Sequence, residues 1–203
     1  GVFEGAQGGG EAGYGKYDDS LGTYVALLEC LCKNLDRIMS ISGHLMFWYS
    51  ERNRAVTVET FARLAPSLVF SVFPLIWVKS DNSGIASDVR RQPRHVYETC
   101  LLAARGGRQI VRVVGDAYSG PTDKRWHVSA KPEPMLKHFL SMLVDDNTRL
   151  LDPSCGSGSA IRAAEELGAS SALGMDVDET TVGNARQALR AARTLRAAHK
   201  TLA

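Results

Sequence analysis

Two aspartates bracket a glycine turn in the last third of this chain. In the stretch LLDPSCGSGSAIRAAEELGASSALGMDVD, Asp152 and Pro153 follow the apolar pair Leu150 and Leu151. Gly156-Ser157-Gly158 comes next, then a helical pattern, then a second apolar run from Ala172 to Met175 that ends on Asp176. Strand, glycine turn, helix and acid-terminated strand make one β-α-β unit, a layout suited to a nucleoside-containing cofactor. The glycines let backbone approach a ligand where a Cβ would intrude. An acid at the end of the second strand can accept the hydrogens of both ribose hydroxyls.

The turn is neither of two common phosphate binders. G-x-G-x-x-G is absent, because Ser159, Ala160 and Ile161 follow Gly158. No Lys-Ser/Thr pair follows the glycines, as a nucleotide-phosphate loop requires. Asp152 at the start of the turn would repel a phosphate and attract an ammonium group. One acid for a cationic head and one for a ribose describe S-adenosylmethionine. For the glycine turn alone, an ordinary strand-to-helix connection is an equal alternative. Asp152, Pro153 and Asp176 in register with it favour the cofactor.

Composition bounds the remainder. With 44% hydrophobic and 23% charged residues, the chain is most simply one domain with one core. A net charge of +2 names no partner, but the charge is uneven. Between Lys79 and Arg112, seven basic residues (79, 90, 91, 94, 105, 108, 112) against three acids leave a local balance of +4. Five basic residues and no acid lie between Arg186 and Lys200. Such patches suit a polyanion; solvated surface is the plainer alternative, and for the tail the favoured one. Cys30, Cys32, Cys100 and Cys155 have no framework or zinc-ligand spacing, so no metal and no disulfide is expected. Cys155 reads as a small packing residue. Reduced thiols, no signal peptide and no membrane-length apolar run fit a cytoplasmic protein with no membrane partner.

The positioning elements follow from periodicity. Residues 1–19, with seven glycines among the first fifteen, read as a flexible loop. Leu21, Tyr24, Val25, Leu28, Leu31 and Leu35 predict a helix over 20–39. HLMFWY (44–49) predicts a buried strand, 57–64 a short helix closed by Pro66, and 73–78 a strand ending in Trp77-Val78-Lys79. A polar loop is expected over 80–93, strands over 96–103 and 109–114, and loop over 115–125. Pro132 and Pro134 open a helix with Met135, Leu136, Phe139, Leu140 and Leu143 on its apolar face. A long alanine-rich helix starts at Glu179. Alternating elements predict an α/β doubly wound sheet. Ligands of such sheets sit at the carboxyl ends of strands, where Asp152, Asp176 and the 77–79 segment would share one rim.

In order, the chain carries an I-W-x-K strand, a Y-E-x-x-L strand, an H-x-x-x-K-P segment, D-P-S-C-G-S-G-S and a strand-end acid. This series resembles the permuted β class of amino-methylating DNA methyltransferases across roughly residues 20–190. The resemblance implies a Rossmann-like class I methyltransferase sheet with circularly permuted motif order. It also implies S-adenosylmethionine as cofactor and double-stranded DNA as partner, in a protein of bacterial or phage origin. The expected reaction is methyl transfer to the exocyclic amine of adenine or cytosine. Residues 20–125 would form the catalytic and target-recognition part. Residues 126–203 would form the cofactor-binding half with a basic C-terminal helix.

The resemblance places Lys131 and Pro132 against the cofactor. Asp152, Pro153, Ser154, Gly156, Ser157 and Gly158 would wrap its methionine part. Asp176 would hold the ribose, with Asp178 a weaker candidate. Ser154 departs from the family, which usually has phenylalanine there. A larger departure is the catalytic signature, a polar residue followed by Pro-Pro and an aromatic, which holds the amine of a flipped base. No Pro-Pro pair occurs in residues 1–203. The motif order sets that signature just upstream of Gly1, so no catalytic residue is assigned within the chain. The expectation is a fragment beginning just after that turn, inactive by itself and poorly stable. The alternative is a non-catalytic cofactor- or DNA-binding module of the same fold. An RNA or small-molecule methyltransferase is a further alternative.

Lys79, Arg90, Arg91 and Arg94 are the candidate DNA contacts, since phosphate contacts supply much of nucleic-acid affinity. Each has a solvated-surface alternative of equal weight. Trp77 reads as core, and His127 as a structural hydrogen-bonder.

Overall fold

A computed structural model describes residues 20–84, 86, 88–123 and 130–201 of the chain. The Gly-rich loop expected from Gly1 to residue 19 lies outside the described residues, and so does His127.

The first helix, α1 (Leu21–Ile38), starts where Ser20 Oγ accepts the Thr23 N–H at 3.2 Å, an N-cap. Its buried stripe is Leu28, Cys32 and Leu35. Cys30, two positions from Cys32, is exposed, as the helical repeat requires. Strand β1 (Gly43–Tyr49), helix α2 (Arg54–Leu64) and the short strand β2 (Leu68–Phe70) follow. Then come β3 (Leu75–Lys79), β4 (Tyr97–Arg105) and β5 (Ala117–Gly120).

These five strands form one sheet of order β1-β4-β3-β5, with β2 also on β4. Strand β4 runs antiparallel to β1, β2 and β3, while β3 and β5 are parallel. Strands β1 and β3 therefore end at the same rim, where β4 begins. Alternation of side chains divides the sheet faces. On one face Tyr49, Leu101 and Ala103 pack with Leu28, Leu35 and Phe61 of α1 and α2. On the other, Leu75, Trp77 and Cys100, with Met46 and Trp48, pack on helix α3 (Glu133–Leu140) through Met135, Leu136 and Phe139.

Strand β6 (Arg149–Asp152), helix α4 (Ser159–Glu166) and strand β7 (Ser171–Gly174) are the expected β-α-β unit, and α5 (Glu179–Thr201) follows. Strands β6 and β7 pair in parallel as a separate two-stranded sheet. Leu150 of β6 and Ala163 and Ala164 of α4 join the core around α3, which is thus shared by both sheets.

The α/β architecture agrees with the sequence expectation, and local boundaries differ. Residues 109–114 form no strand. Val111 donates its N–H to the Met142 carbonyl at 2.8 Å, and Ile110, Val111 and Val113 are exposed. The edge of β3 is taken instead by β5, within a segment expected to be loop. Strand β3 begins at Leu75, because Val72 and Phe73 sit exposed before it. Strand β7 ends at Gly174, two residues short of Asp176. No described helix is long and apolar enough to cross a membrane.

Candidate cofactor site at the carboxyl rim

The glycine turn leaves β6 through a fixed set of backbone bonds. Met175 donates to the Asp152 carbonyl at 2.9 Å, and Cys155 donates to the Met175 carbonyl at 2.8 Å. These ties carry the chain pairing past the formal end of β7 and bring Asp176 beside the turn. Gly156 (φ 49°) and Gly158 (φ 73°) occupy the left-handed region, which residues with a Cβ enter at a cost. A Cβ at Gly156 would meet nothing within 4 Å, so the turn opens onto space there. At Gly158 it would press on Ala185 of α5 at 3.3 Å.

Asp176 Oδ2 accepts the Gly156 N–H at 3.0 Å, and Oδ1 accepts the Asp178 N–H at 3.1 Å. Each carboxylate oxygen keeps a further lone pair. Asp178 Oδ1 and Oδ2 instead accept the N–H groups of Thr180 and Thr181 at 3.2 and 3.1 Å. Asp178 therefore caps α5, and Asp176 is the acid that faces the turn.

Asp152 Oδ1 accepts the Ser154 N–H at 3.1 Å. Burial raises the Asp152 carboxyl above its ordinary value, against the lowering effect of that N–H. The Asp176 charge adds to the rise. A partly desolvated carboxylate beside a second one is poorly compensated without a cation. Pro153 and Ser154 are exposed, whereas Ser157, Gly158 and Ser159 are buried. The Cys155 thiol is pushed up by burial and by both aspartates, which suits a packing residue and opposes a nucleophile. No group of described residues could hold a metal ion.

Two further parts of the site were not legible in the sequence. Arg162, 7% exposed, reaches from α4 to the turn. Its Nη1 donates to the Ser157 carbonyl at 2.6 Å and its Nε to Glu133 at 2.9 Å. One buried guanidinium thus pins the turn to the start of α3. Lys131, Ser157, Ser159 and Arg162 line a small cavity of about 30 Å³ that also touches Asp123 and Glu133. The K-P lysine and the glycine turn therefore border one cavity.

The second part is Glu98. Its Oε2 lies 2.8 Å from Lys131 Nζ, and its Oε1 lies 2.8 Å from Lys79 Nζ. Burial pushes the Glu98 carboxyl up, but the two ammonium groups, Lys131 foremost, outweigh it and hold it below its ordinary value. Each lysine also sits over an indole, Lys131 on Trp48 at 5.8 Å and Lys79 on Trp77 at 5.3 Å. Trp77 is core, 2% exposed. Lys79 is turned inward, its side chain 17% exposed. Arg90, Arg91 and Arg94, by contrast, are exposed in the segment joining β3 to β4 at this rim. Arg91 approaches Asp88 at 3.5 Å. The catalytic signature expected upstream of Gly1 has no Pro-Pro counterpart in residues 1–203, and Gly1 itself is not among the described residues.

The family model for the N6/N4 DNA methylases matches residues 9–187. No curated protein sequence gives a significant match. Among solved structures, the M1.HpyAVI–SAM complex superposes with a TM-score of 0.67 at 16% identity. It covers 80% of this chain and 82% of that one. TTHA0409 of Thermus thermophilus, a putative DNA modification methylase complexed with S-adenosyl-L-methionine, gives 0.63 at 15% identity over 84% and 78%. The cytosine-N4-specific PvuII DNA methyltransferase gives 0.61 at 13% identity over 86% and 73%. At these identities the structures speak for the fold alone.

Proposed function

The chain belongs to the DNA methylase family, and from that premise we propose that the rim around Asp152, Gly156 and Asp176 holds its cofactor. The family reaction is S-adenosylmethionine-dependent methyl transfer to the exocyclic amine of adenine or cytosine in DNA. The bound cofactor supplies an electrophilic methyl group on a sulfonium. The residues present suit that ligand. Asp152, whose raised carboxyl has no described cation beside it, would take its ammonium group. The turn Gly156, Ser157 and Gly158, open at Gly156, would follow its methionine part with Pro153 and Ser154. Asp176 has the spare lone pairs for ribose hydroxyls. Lys131 and Pro132 would close the opposite wall.

The observation that carries this reading is the Asp176–Gly156 hydrogen bond, which sets the acid and the open turn side by side. Calorimetric titration of S-adenosylmethionine into the 203-residue chain tests it. One-to-one binding that is lost in Asp152→Ala supports it, and no heat of binding would overturn it.

On the DNA side, we infer that Arg90, Arg91 and Arg94 contact the phosphate backbone of double-stranded DNA. Their exposure at the rim supports this, and general attraction to phosphates is the physical basis. Lys79 serves this role less well, because its ammonium is already paired with Glu98. Residues 20–125 then act as the DNA-facing part and 126–203 as the cofactor-facing part.

A further inference from the structure

Lys131 has a positioning problem that its own segment does not solve. It lies in neither helix nor strand, just before α3. A lysine has four rotatable side-chain bonds, so a useful ammonium position needs an external tether. Glu98 supplies one from the opposite kind of element. It stands on β4, the strand held by three neighbours, β1, β2 and β3. It pairs directly across from Trp77, on the same face as Cys100 and Leu102.

We propose that Glu98 is a positioning residue for cofactor binding: it clamps Lys131 against the glycine turn and uses Lys79 to hold its own carboxylate in place. The inference rests on the reading that Lys131 borders the cofactor. The two oxygens divide the work, one ammonium each, both at 2.8 Å. Trp48 and Trp77 give the two lysines their other contact surface, so each cation is fixed from two directions. Glu98 thereby fixes the Lys131 ammonium at the cavity that Lys131 lines with Ser157, Ser159, Arg162 and the acids Asp123 and Glu133. Removing the Glu98 charge would free both lysines to turn to solvent and leave Arg162 as the cavity's remaining fixed cation.

A double-mutant cycle on S-adenosylmethionine affinity tests the proposal. Glu98→Gln keeps the side-chain shape and removes the charge. Glu98→Gln and Lys131→Gln are each expected to raise the dissociation constant about tenfold, the scale of a lost charged hydrogen bond. The double variant is expected to bind like Lys131→Gln alone, because Glu98 acts through Lys131. A merely structural role would weaken binding again when Lys131 is already gone, so an additive cycle overturns the proposal. So does unchanged affinity in Glu98→Gln while Lys131→Gln is weakened, an outcome that leaves the cofactor site itself standing. Unchanged affinity in Lys131→Gln removes both the Lys131 assignment and the role of Glu98. Lys79→Gln, which leaves the Glu98–Lys131 pair in place, is expected to weaken binding by no more than about threefold; a loss as large as that of Lys131→Gln would overturn the division of roles.

Discussion

Asp176 holds Gly156: its Oδ2 accepts the glycine N–H at 3.0 Å, although strand β7 has ended two residues earlier. The same carboxylate is thus both a structural pin for the turn and the acceptor proposed for a ribose. Asp176→Ala removes both. Cofactor affinity is expected to fall by about 1.5–3 kcal/mol, the scale for hydrogen bonds to a charged group. The ligand-free protein is expected to lose about 1 kcal/mol, because the N–H groups of Gly156 and Asp178 lose their acceptor. Calorimetry and thermal unfolding of the same preparation read the two effects separately. Unchanged affinity with an intact fold would reject the ribose role.

Asp152 gives a prediction of opposite sign for stability. Its folded carboxyl is raised by burial and by Asp176. A raised acid costs stability as pH climbs from its ordinary value through its folded value, and the cost is fully present above the latter. Asp152→Asn is therefore expected to stabilise the ligand-free chain at neutral pH, by about 1 kcal/mol, while abolishing tight cofactor binding. In the parent, affinity should increase as pH rises through the raised Asp152 value, since an ionised carboxylate is what holds an ammonium. Binding isotherms across the acid range check the slope. Affinity that falls with rising pH there would contradict the assignment.

The β-α-β unit and its glycine turn were legible because their signal is local. Apolar pair, acid, proline, glycines and a second acid lie within one β-α-β unit, and each has a backbone reason to be there. The roles of Arg162 and Glu98 were not legible, because each depends on chain segments brought together only by folding. Arg162 reads in sequence as an ordinary helix-face charge, yet it is buried between Ser157 and Glu133. The short strands failed for another reason. Strand β5 is Ala-Tyr-Ser-Gly, too small and polar to show alternation, and it is a strand only because β3 has an edge to offer. Residues 109–114 show the converse, an apolar run whose backbone partner is the turn after α3. Local pattern states what a segment can become, and the available edges decide.

The exposed arginines after β3 predict a salt-sensitive DNA affinity. A triple Arg→Ser variant at 90, 91 and 94 removes up to three phosphate contacts. The slope of log affinity against log salt should then flatten by roughly 2 to 3, at about 0.9 per contact. Fluorescence anisotropy with duplex DNA over a salt series measures the slope. A variant that binds like the parent at low salt would show that these side chains are solvated surface.

The last prediction concerns transfer itself. Methylation needs a held donor and a base amine held in line with it. The first is the role proposed for Asp152, the glycine turn, Lys131 and Asp176. The Pro-Pro-aromatic turn that the resemblance assigns to the second has no counterpart in residues 1–203, since no Pro-Pro pair occurs. Among the described residues, β1, β5, β6 and β7 each keep one edge without a partner strand. Met46 and Trp48 of β1 and Leu150 of β6 pack in the core around α3. Open edges of this kind are ready templates for a further strand and a liability when left bare. The 203-residue chain is therefore expected to bind S-adenosylmethionine, to transfer no methyl group above background, and to aggregate more readily than a closed sheet would. Tritium transfer from labelled cofactor to unmodified DNA reads the activity, and light scattering the association. Robust transfer would mean that another side chain within residues 1–203 holds the amine, and the rim near Glu98 and Asp152 would be the first place to search for it by substitution.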